Sequence, residues 1–428
     1  MKDKFIKSTG ILLIGGLLTK ILGMFIKMII ARELGPKGLG LYMLILPTFI
    51  LLINLSQFGF PIALSKLISE DTKNNKKLFF SNLPIIIFIN IVIIVSIIIT
   101  SPYISNNLLH RKDTYISILA MSTVIPFTTI SSICRSYFFG KQKMIPHVIS
   151  NLIEDIVRLT LIIAIIPKIK FLKMKYIICI LILFNIISEI SSTLILIIFL
   201  PKNIKITKFD LKPKKSYIKE SLKISIPTTS SQLIGSIALF LEPIILTSTL
   251  LKQNYSISYI TTQYGIITGY IIPLILLPSF FTLSISQALL PIISKEYANK
   301  NIRKVKYIIK IAIIISLLIG ISSTIIFLII PKLLLKTIYN TTQGISYIKI
   351  LAPICLLQYI QSPLSSILDA IGKSKDNLIA TIIGTITRTS LLYILSYLRI
   401  GIWTLIISTS INIILTTIYQ LKKVHKYL

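Results

Sequence analysis

The sequence predicts an all-α polytopic membrane protein, with about twelve transmembrane helices in two six-helix lobes around a central cavity. Three observations predict it. Of 428 residues, 54% are hydrophobic and only 14% are charged, with a mean hydropathy of +0.85, against about 45–50% apolar and 25% charged in soluble domains. The apolar residues form long runs rather than alternating, and the run from Pro84 to Ile99 carries no charge. Lysines gather in short segments between such runs. About 20 apolar residues span a bilayer as a helix, and hydrocarbon forces every backbone group into internal hydrogen bonds.

Apolar runs and polar punctuation place the helices at 5–31, 38–69, 79–100, 115–139, 146–167, 174–200, 219–251, 258–292, 306–331, 344–370, 376–398 and 400–421. The first run, Phe5 to Ile30, contains Lys20 and Lys27. It is too long and too charged for a cleaved signal peptide, so the first helix is expected to be retained. Pro47, Gly59 and Pro61 interrupt the second helix, and Pro273, Pro278 and Pro291 the eighth. These are the second helices of the two lobes, so Pro47, Gly59, Pro61, Pro273 and Pro278 are candidate hinges, with plain packing kinks as the alternative. The longest polar stretch, Pro201 to Lys223, is dense in lysine around Pro213. It divides the chain into an N-terminal lobe (1–200), a cytoplasmic linker (201–218) and a C-terminal lobe (219–428).

With the N-terminus inside, 29 of the 46 Lys and Arg residues fall in inner segments and 12 in outer ones. Arg135 is counted here at the inner end of the fourth helix. The bias makes both termini cytoplasmic, although the four lysines at 168–175 argue the other way. The formal charge of +32 does not point to nucleic acid. Its basic residues sit in short loops, where anionic headgroups explain them, and are not interleaved with aromatics on a soluble face.

The lobes resemble each other. Ser65-Lys66, Glu70, Asn74 and Lys76-Lys77 find counterparts in Ser294-Lys295, Glu296, Asn299 and Arg303-Lys304. Gly140-Lys141 finds one in Gly372-Lys373. Two matches at nearly one offset favour a duplicated six-helix unit. Both lobes run inside to inside, so the repeats are parallel, an architecture that puts a substrate site between lobes near the midplane.

No enzyme signature stands out. Cys134, Cys179 and Cys355 are far apart in apolar segments, without metal-ligand spacing. His110, His147 and His425 lie in or near expected loops or the tail, with no nucleophile at a catalytic spacing. Charges inside helices are more informative, because each is costly at the bilayer centre unless it faces protein or water. Lys20 and Lys27 are two turns apart and share a face. That stripe suits an anionic headgroup such as a diphosphate, with snorkelling to the interfaces as the bland reading. Glu154 and Arg158 have i, i+4 spacing for an ion pair, which also suits simple helix locking. Asp155 points elsewhere and is a candidate to line the cavity. Glu189 and Glu242 are isolated acids, candidates for a coupling cation or proton, or else partners for bases on neighbouring helices. Arg388, with no acid nearby in sequence, is a candidate phosphate contact.

Several segments are similar to the stage V sporulation protein B family: Gly10-Ile-Leu-Leu-Ile-Gly-Gly16, Thr19-Lys20-Ile-Leu-Gly23, Ile30-Ala-Arg-Glu-Leu-Gly35, Gly38-Leu-Gly-Leu-Tyr42 and Pro47. Gln57-Phe-Gly-Phe-Pro61 with Ala63-Leu-Ser-Lys66, and Arg135-Ser-Tyr-Phe-Phe-Gly140 with Lys141 to Met144, Pro146 and Ile153 to Arg158, continue the resemblance. The C-terminal lobe matches more loosely, at Gln287 to Lys295 and Gly372-Lys373.

The family belongs to the multidrug/oligosaccharidyl-lipid/polysaccharide exporter superfamily. The resemblance implies a two-lobe fold with a central cavity that moves a lipid-linked oligosaccharide or peptidoglycan precursor outward, for spore cortex or envelope polysaccharide. It implies that Lys20 and Lys27 stand where basic residues line the cavity of related lipid II flippases. The chain departs from the pattern in stopping after twelve helices, where many relatives run to fourteen, and in carrying Asp369 where an uncharged polar residue is usual.

The expectation is a flippase in the bacterial cytoplasmic membrane, without cofactor, metal or nucleic-acid partner, acting on a lipid-linked glycan among membrane lipids and beside cell-wall synthases. Its cationic contacts would be Lys20, Lys27, Arg158 and Arg388, and its coupling acids Glu154, Asp155, Glu189 and Glu242. The rivals are a multidrug or cation antiporter of the same superfamily, and a non-transporting scaffold or glycan enzyme of cell-wall synthesis.

Overall fold

The structure, a computed structural model, describes residues 2–70, 74–200 and 212–428. Lys73 and residues 201–211 of the expected linker lie outside the described residues. The described residues form helices and no strand. In the first half these are α1 (Lys2–Gln57), α2 (Phe60–Ser69), α3 (Asn75–Tyr103), α4 (Tyr115–Gly140), α5 (Met144–Ile165) and α6 (Met174–Ile198). Then come α7 (Lys215–Lys252), α8 (Ile257–Gly265), α9 (Ile272–Ile275), α10 (Ser279–Ala298), α11 (Ile302–Ile329), α12 (Pro331–Tyr339), α13 (Ile345–Ala370), α14 (Ser374–Ser396) and α15 (Trp403–Tyr427).

The chain is an all-α multi-pass membrane protein. Among the described residues nine helices are long and apolar enough to cross a bilayer, and a tenth span follows if the bent pair Ile257–Ile275 and Ser279–Ser286 is joined. The remaining two of the expected twelve have physical explanations. α1 has 56 residues, about 84 Å at 1.5 Å per residue, far beyond one bilayer core of about 30 Å. It breaks at Gly35 (φ 63°, ψ 179°) into two spans, so the expected loop at 32–37 is helical except at that glycine. α5 is long enough but carries Glu154, Asp155 and Arg158.

Side-chain burial is inverted relative to a soluble protein. α3 turns Phe88, Ile91, Val95 and Ile99 outward while Ser81, Asn82 and Asn90 are buried. Asn90 Nδ2 donates to the Ile86 carbonyl at 2.8 Å, and Thr129 Oγ1 on α4 donates to Ser56 Oγ at 3.2 Å. In lipid, polar groups turned inward hold helices together and apolar groups facing out have no reason to hide.

Contacts divide the chain into two compact units, Met1–Leu34 with Leu44–Phe240, and Gly35–Met43 with Leu241–Leu428. In the first unit α4 is the hub, packed against α2, α3 and α6, and α5 pairs with α6. In the second α13 is the hub, packed against α10, α11 and α15, and α14 pairs with α15. The short stretch Gly35–Met43 of α1 belongs to the second unit, where Gly40, lacking a side chain, lies directly on the α8 backbone at Thr261 and Gly265.

The repeated turns have the same bonding. After α4, Lys143 N donates to Phe138 O at 2.9 Å and Gln142 N to Phe139 O at 3.0 Å; after α13, Lys373 N donates to Leu368 O at 2.7 Å and Gly372 N to Asp369 O at 3.1 Å. Both are helix C-terminal motifs with a left-handed residue after the cap, Gln142 (φ 56°) in one and Gly372 (φ 77°) in the other. Likewise Asn74 caps α3 and Asn301 caps α11. The structural equivalents are therefore Gln142 with Gly372 and Asn74 with Asn301, each two residues from the pairing the sequence suggested.

The expected hinges fall differently. The chain turns at Phe58 (φ 45°) and Gly59 (φ 63°), with Pro61 in the first turn of α2. Pro47 sits in uninterrupted helix. Pro273 lies in α9, just after a wide π-type turn at Ile266–Ile271, and Pro278 caps α10. The helix bends by 51° between those two prolines' segments.

Candidate functional site

The first unit holds a charged network built from three helices. α4 supplies Arg135, α5 supplies Glu154, Asp155 and Arg158, and α6 supplies Glu189. One terminal nitrogen of Arg135, Nη2, lies 2.5 Å from Glu154 Oε2, 2.7 Å from Glu189 Oε2, 2.6 Å from Ser131 Oγ and 3.1 Å from Ser192 Oγ. A guanidinium nitrogen has two hydrogens, so four acceptors compete for them. Arg158 Nη2 donates to Glu154 Oε1 at 2.5 Å, the i, i+4 pair expected from spacing. Asp155 does not point away from that pair: its Oδ1 lies 3.7 Å from Arg158 Nη1. Two guanidinium groups thus face three carboxylates, and the network carries one excess formal negative charge. Asp155 and Glu189 are 8% and 7% exposed, so that excess is held in a poorly hydrated place.

Arg135 is the functional residue that sequence reasoning missed. Lying five residues before the end of α4, it counts as a cytoplasmic-end charge by position alone, yet its side chain is 17% exposed and turned into the helix bundle. The available signal was Glu189, an acid with no base on its own helix, which needed a cation from a neighbouring one.

Arg135 also borders a cavity of about 760 Å³ between α2, α4 and α5, whose wall includes Lys66, Phe139 and His147. His147 lies in the first turn of α5, near the loop as expected, its ring 5.5 Å from that of Phe139.

The second unit holds a charged pair between α7 and α14. Arg388 on α14 is bonded to Glu242 on α7, and the Tyr264 hydroxyl donates to Glu242 Oε1 at 3.2 Å. The isolated acid and the isolated base of the sequence are each other's partners. Glu242 is 5% exposed.

Lys20 and Lys27 differ from every arginine above. Both are exposed on α1, and among the described residues neither has a carboxylate within ion-pair distance. Gly16 and Gly23 alternate with them at helical spacing, and nothing lies within 4 Å of a side chain built at either glycine. The stripe Gly16, Lys20, Gly23 and Lys27 therefore faces open space along about 16 Å of helix. Among the described residues no group of three or more His, Cys, Asp or Glu is placed to hold a metal ion.

Comparison with known proteins bears on these features. A family model described as polysaccharide biosynthesis protein matches residues 5–297, and the MatE model matches 268–394. Stage V sporulation protein B of Bacillus subtilis (strain 168) is 33% identical over 405 residues, covering 92% of this chain and 78% of that protein. The lipid II flippase MurJ of the same organism is 25% identical over 173 residues, 37% of this chain and 32% of that one. Among solved structures, an inward-facing multidrug resistance MATE family transporter of the MOP superfamily superposes with a TM-score of 0.71 at 17% identity, over 95% of each chain. That likeness speaks for the fold.

Proposed function

The chain belongs to the polysaccharide biosynthesis protein family of the multidrug/oligosaccharidyl-lipid/polysaccharide superfamily, and on that premise we propose that it is a lipid-linked glycan flippase. It carries an undecaprenyl-linked oligosaccharide or peptidoglycan precursor across the bacterial cytoplasmic membrane by alternating access, in spore cortex or envelope polysaccharide synthesis. Both termini lie in the cytoplasm, and the lobes move about the Gly59–Pro61 and Pro273–Pro278 breaks. Cell-wall synthases consume what it delivers.

The observation that carries this reading is the exposed, unpaired Lys20–Lys27 stripe in an apolar helix. A charge at the bilayer centre costs about 2.5–3.5 kcal/mol on insertion scales. Two such charges without a counter-ion among the described residues suit a water-filled path whose cargo is anionic. A diphosphate offsets both, and the bare backbone at Gly16 and Gly23 leaves room for a bulky headgroup beside them. Arg158 and Arg388 are held by Glu154 and Glu242, so a substrate phosphate reaches them only by displacing a carboxylate.

The network around Arg135 supplies coupling. A proton taken up by Glu189 neutralises the excess charge and leaves Arg135 to Glu154, which pulls α5 and α6 differently against α4. That same excess of carboxylate is the one feature that favours a cation antiporter, the second reading; it predicts ion-coupled efflux of cationic drugs.

Reconstitution in liposomes with fluorescent lipid II and a peptide-free undecaprenyl-linked sugar tests the proposal. Wild type moves at least one lipid and the Lys20→Gln/Lys27→Gln variant does not. If the folded, inserted wild type moves neither, the flippase reading is wrong.

A further inference from the structure

The cavity between α2, α4 and α5 contains more polar side chains than the fold uses. Lys66 projects from the last turn of α2 with no carboxylate within ion-pair distance among the described residues. Ser65, Gln142 and Asn151 border the same space, and no hydrogen bond joins their side chains to the described protein. His147 Nδ1 is buried without a partner, as is Arg135 Nε. Buried polar groups are nearly always bonded, so two orphans and three uncommitted polar side chains around one space point to a ligand that supplies the missing partners. By contrast, the neighbouring Ser132 and Ser69 are already engaged, with Gln57 Nε2 at 2.8 Å and the Lys66 carbonyl at 2.7 Å.

The chemistry of the lining narrows the ligand. One unpaired ammonium calls for one anionic group. Two carboxamides, a hydroxyl and an imidazole call for several donor–acceptor groups, as ring hydroxyls are. Phe139 is exposed on the wall, with Pro61 and Met144 nearby, and gives a flat apolar face against which a pyranose can lie. A cationic ligand is disfavoured, because no carboxylate lines the space: Glu154 and Glu189 are turned to Arg135. An acyl chain is disfavoured, because it would leave every one of these polar groups without a partner. The volume of about 760 Å³ falls within the roughly 300–1,000 Å³ that holds small-molecule ligands.

We propose that this cavity is a binding site for a phosphorylated sugar, with Lys66 on the phosphate, Gln142, His147 and Asn151 on the ring hydroxyls, and Phe139 against the ring face. The site lies wholly in the first unit and stands independently of the Lys20–Lys27 stripe and of the transport reading. It touches the coupling network through Arg135, which borders the cavity and whose Nη2 holds Glu154 and Glu189 while its buried Nε has no partner. A bound sugar oxygen that accepts a hydrogen bond from Nε–H thereby steadies Arg135 against both acids. The phosphorylated sugar has two sources, a soluble sugar phosphate or the headgroup of a lipid-linked one.

Equilibrium binding to the purified full-length protein tests this. In one arm, glucose 1-phosphate and N-acetylglucosamine 1-phosphate are titrated in micelles, with inorganic phosphate and methyl glucoside as fragments. In the other, a polyprenyl-phosphate-linked glucose is titrated in nanodiscs. At least one sugar phosphate binds tenfold or more tightly than either fragment, and Lys66→Gln and Asn151→Leu each weaken it tenfold or more. Because Lys66 is exposed and Asn151 only half-buried, both variants keep the wild-type melting midpoint. Binding in micelles identifies the soluble source; binding confined to nanodiscs, with the same losses in the two variants, identifies the lipid-linked headgroup. Absence of binding in both arms, or binding indifferent to both substitutions, overturns the site. Lipid translocation is a separate readout: sugar binding by a protein that moves no lipid retains the site and removes the flippase reading, and lipid movement without sugar binding does the reverse.

Discussion

Glu154 and Glu189, carboxylates from adjacent helices, both accept from one nitrogen of Arg135, at 2.5 and 2.7 Å. Like charges brought this close persist only while the cation stays between them. The arrangement makes Arg135 the pin of the first unit, because α4 holds it, α5 and α6 supply its partners, and α4 is the helix around which that unit packs.

Removing that pin is therefore expected to cost more than removing either acid. Arg135→Gln leaves two buried carboxylates facing each other, and breaking a buried pair on one side costs about 3–5 kcal/mol. A clear drop in thermal midpoint in micelles is the expected result. Adding Glu189→Gln to Arg135→Gln recovers part of it, since the repulsion goes with the charge. An Arg135→Gln protein as stable as wild type would mean the network does not hold the unit together.

Lys20 and Lys27 predict the opposite pattern. Among the described residues neither has a carboxylate partner, so Lys20→Gln and Lys27→Gln, singly or together, leave the thermal midpoint within about 0.5 kcal/mol of wild type, the range of surface substitutions. Translocation of an undecaprenyl-linked sugar falls tenfold or more in the double variant, while Lys20→Arg/Lys27→Arg retains most of it. Equal losses in the Arg and Gln variants would show that charge is not what the stripe contributes.

The contrast between these two sites tracks what a sequence can carry. Apolar runs announced the helices, because lipid demands length and hydrophobicity whatever the partners. The Glu154–Arg158 pair was legible because it obeys the i, i+4 rule within one helix. Arg388 and Glu242 were each found but not joined, since 146 positions separate them in the chain and no local rule spans such a gap. Position along α4 alone puts Arg135 at a helix end, while its burial is set by acids on two other helices. The turn equivalence slipped by two residues because Gly140 matched Gly372 in identity, whereas backbone conformation pairs Gly372 with Gln142.

The Arg388–Glu242 pair offers a test of whether a buried ion pair is needed for stability or for specificity. Arg388→Met alone strands a carboxylate that is 5% exposed, leaving only the Tyr264 hydroxyl to bond it, and about 3–5 kcal/mol of destabilisation is expected. The double replacement Glu242→Leu/Arg388→Met restores the midpoint to near wild type or above it. If the double variant is also stable but no longer transports, the pair serves the cycle rather than the fold.

Acid sensitivity has a small contribution from Glu296, at the end of α10. A hydrogen bond from Lys304 Nζ at 2.7 Å, aided by the Asn301 amide, holds its carboxyl below the usual carboxylate range. A folded-state value below the unfolded one means the stabilisation is present at neutral pH and lost as pH falls through the folded value. Wild type therefore loses melting temperature faster than Glu296→Gln below about pH 5, and high salt narrows the difference because the site is exposed. Parallel pH curves for the two proteins would remove Glu296 from the acid limb.

The glycines at the two kinds of turn separate backbone strain from collision. Gly372 has φ 77° with nothing within 4 Å of a built side chain, whereas Gly59 has φ 63° and a methyl there would meet the Ser225 carbonyl oxygen of α7 at 2.7 Å. Gly372→Ala then pays only the left-handed penalty, about 1–2 kcal/mol. Gly372→Asn is milder still, because Asn tolerates that region and the equivalent turn already carries Gln142. Gly59→Ala adds a backbone clash that no rotamer change relieves, so it is the more damaging of the two in thermal midpoint. Because Gly59 joins α1 to α2 under α7, the same variant is also expected to slow translocation more than its stability loss alone would. Measured side by side, equal effects of the two alanines would mean that α7 shifts freely away from Gly59, and the close packing there would have no mechanical role.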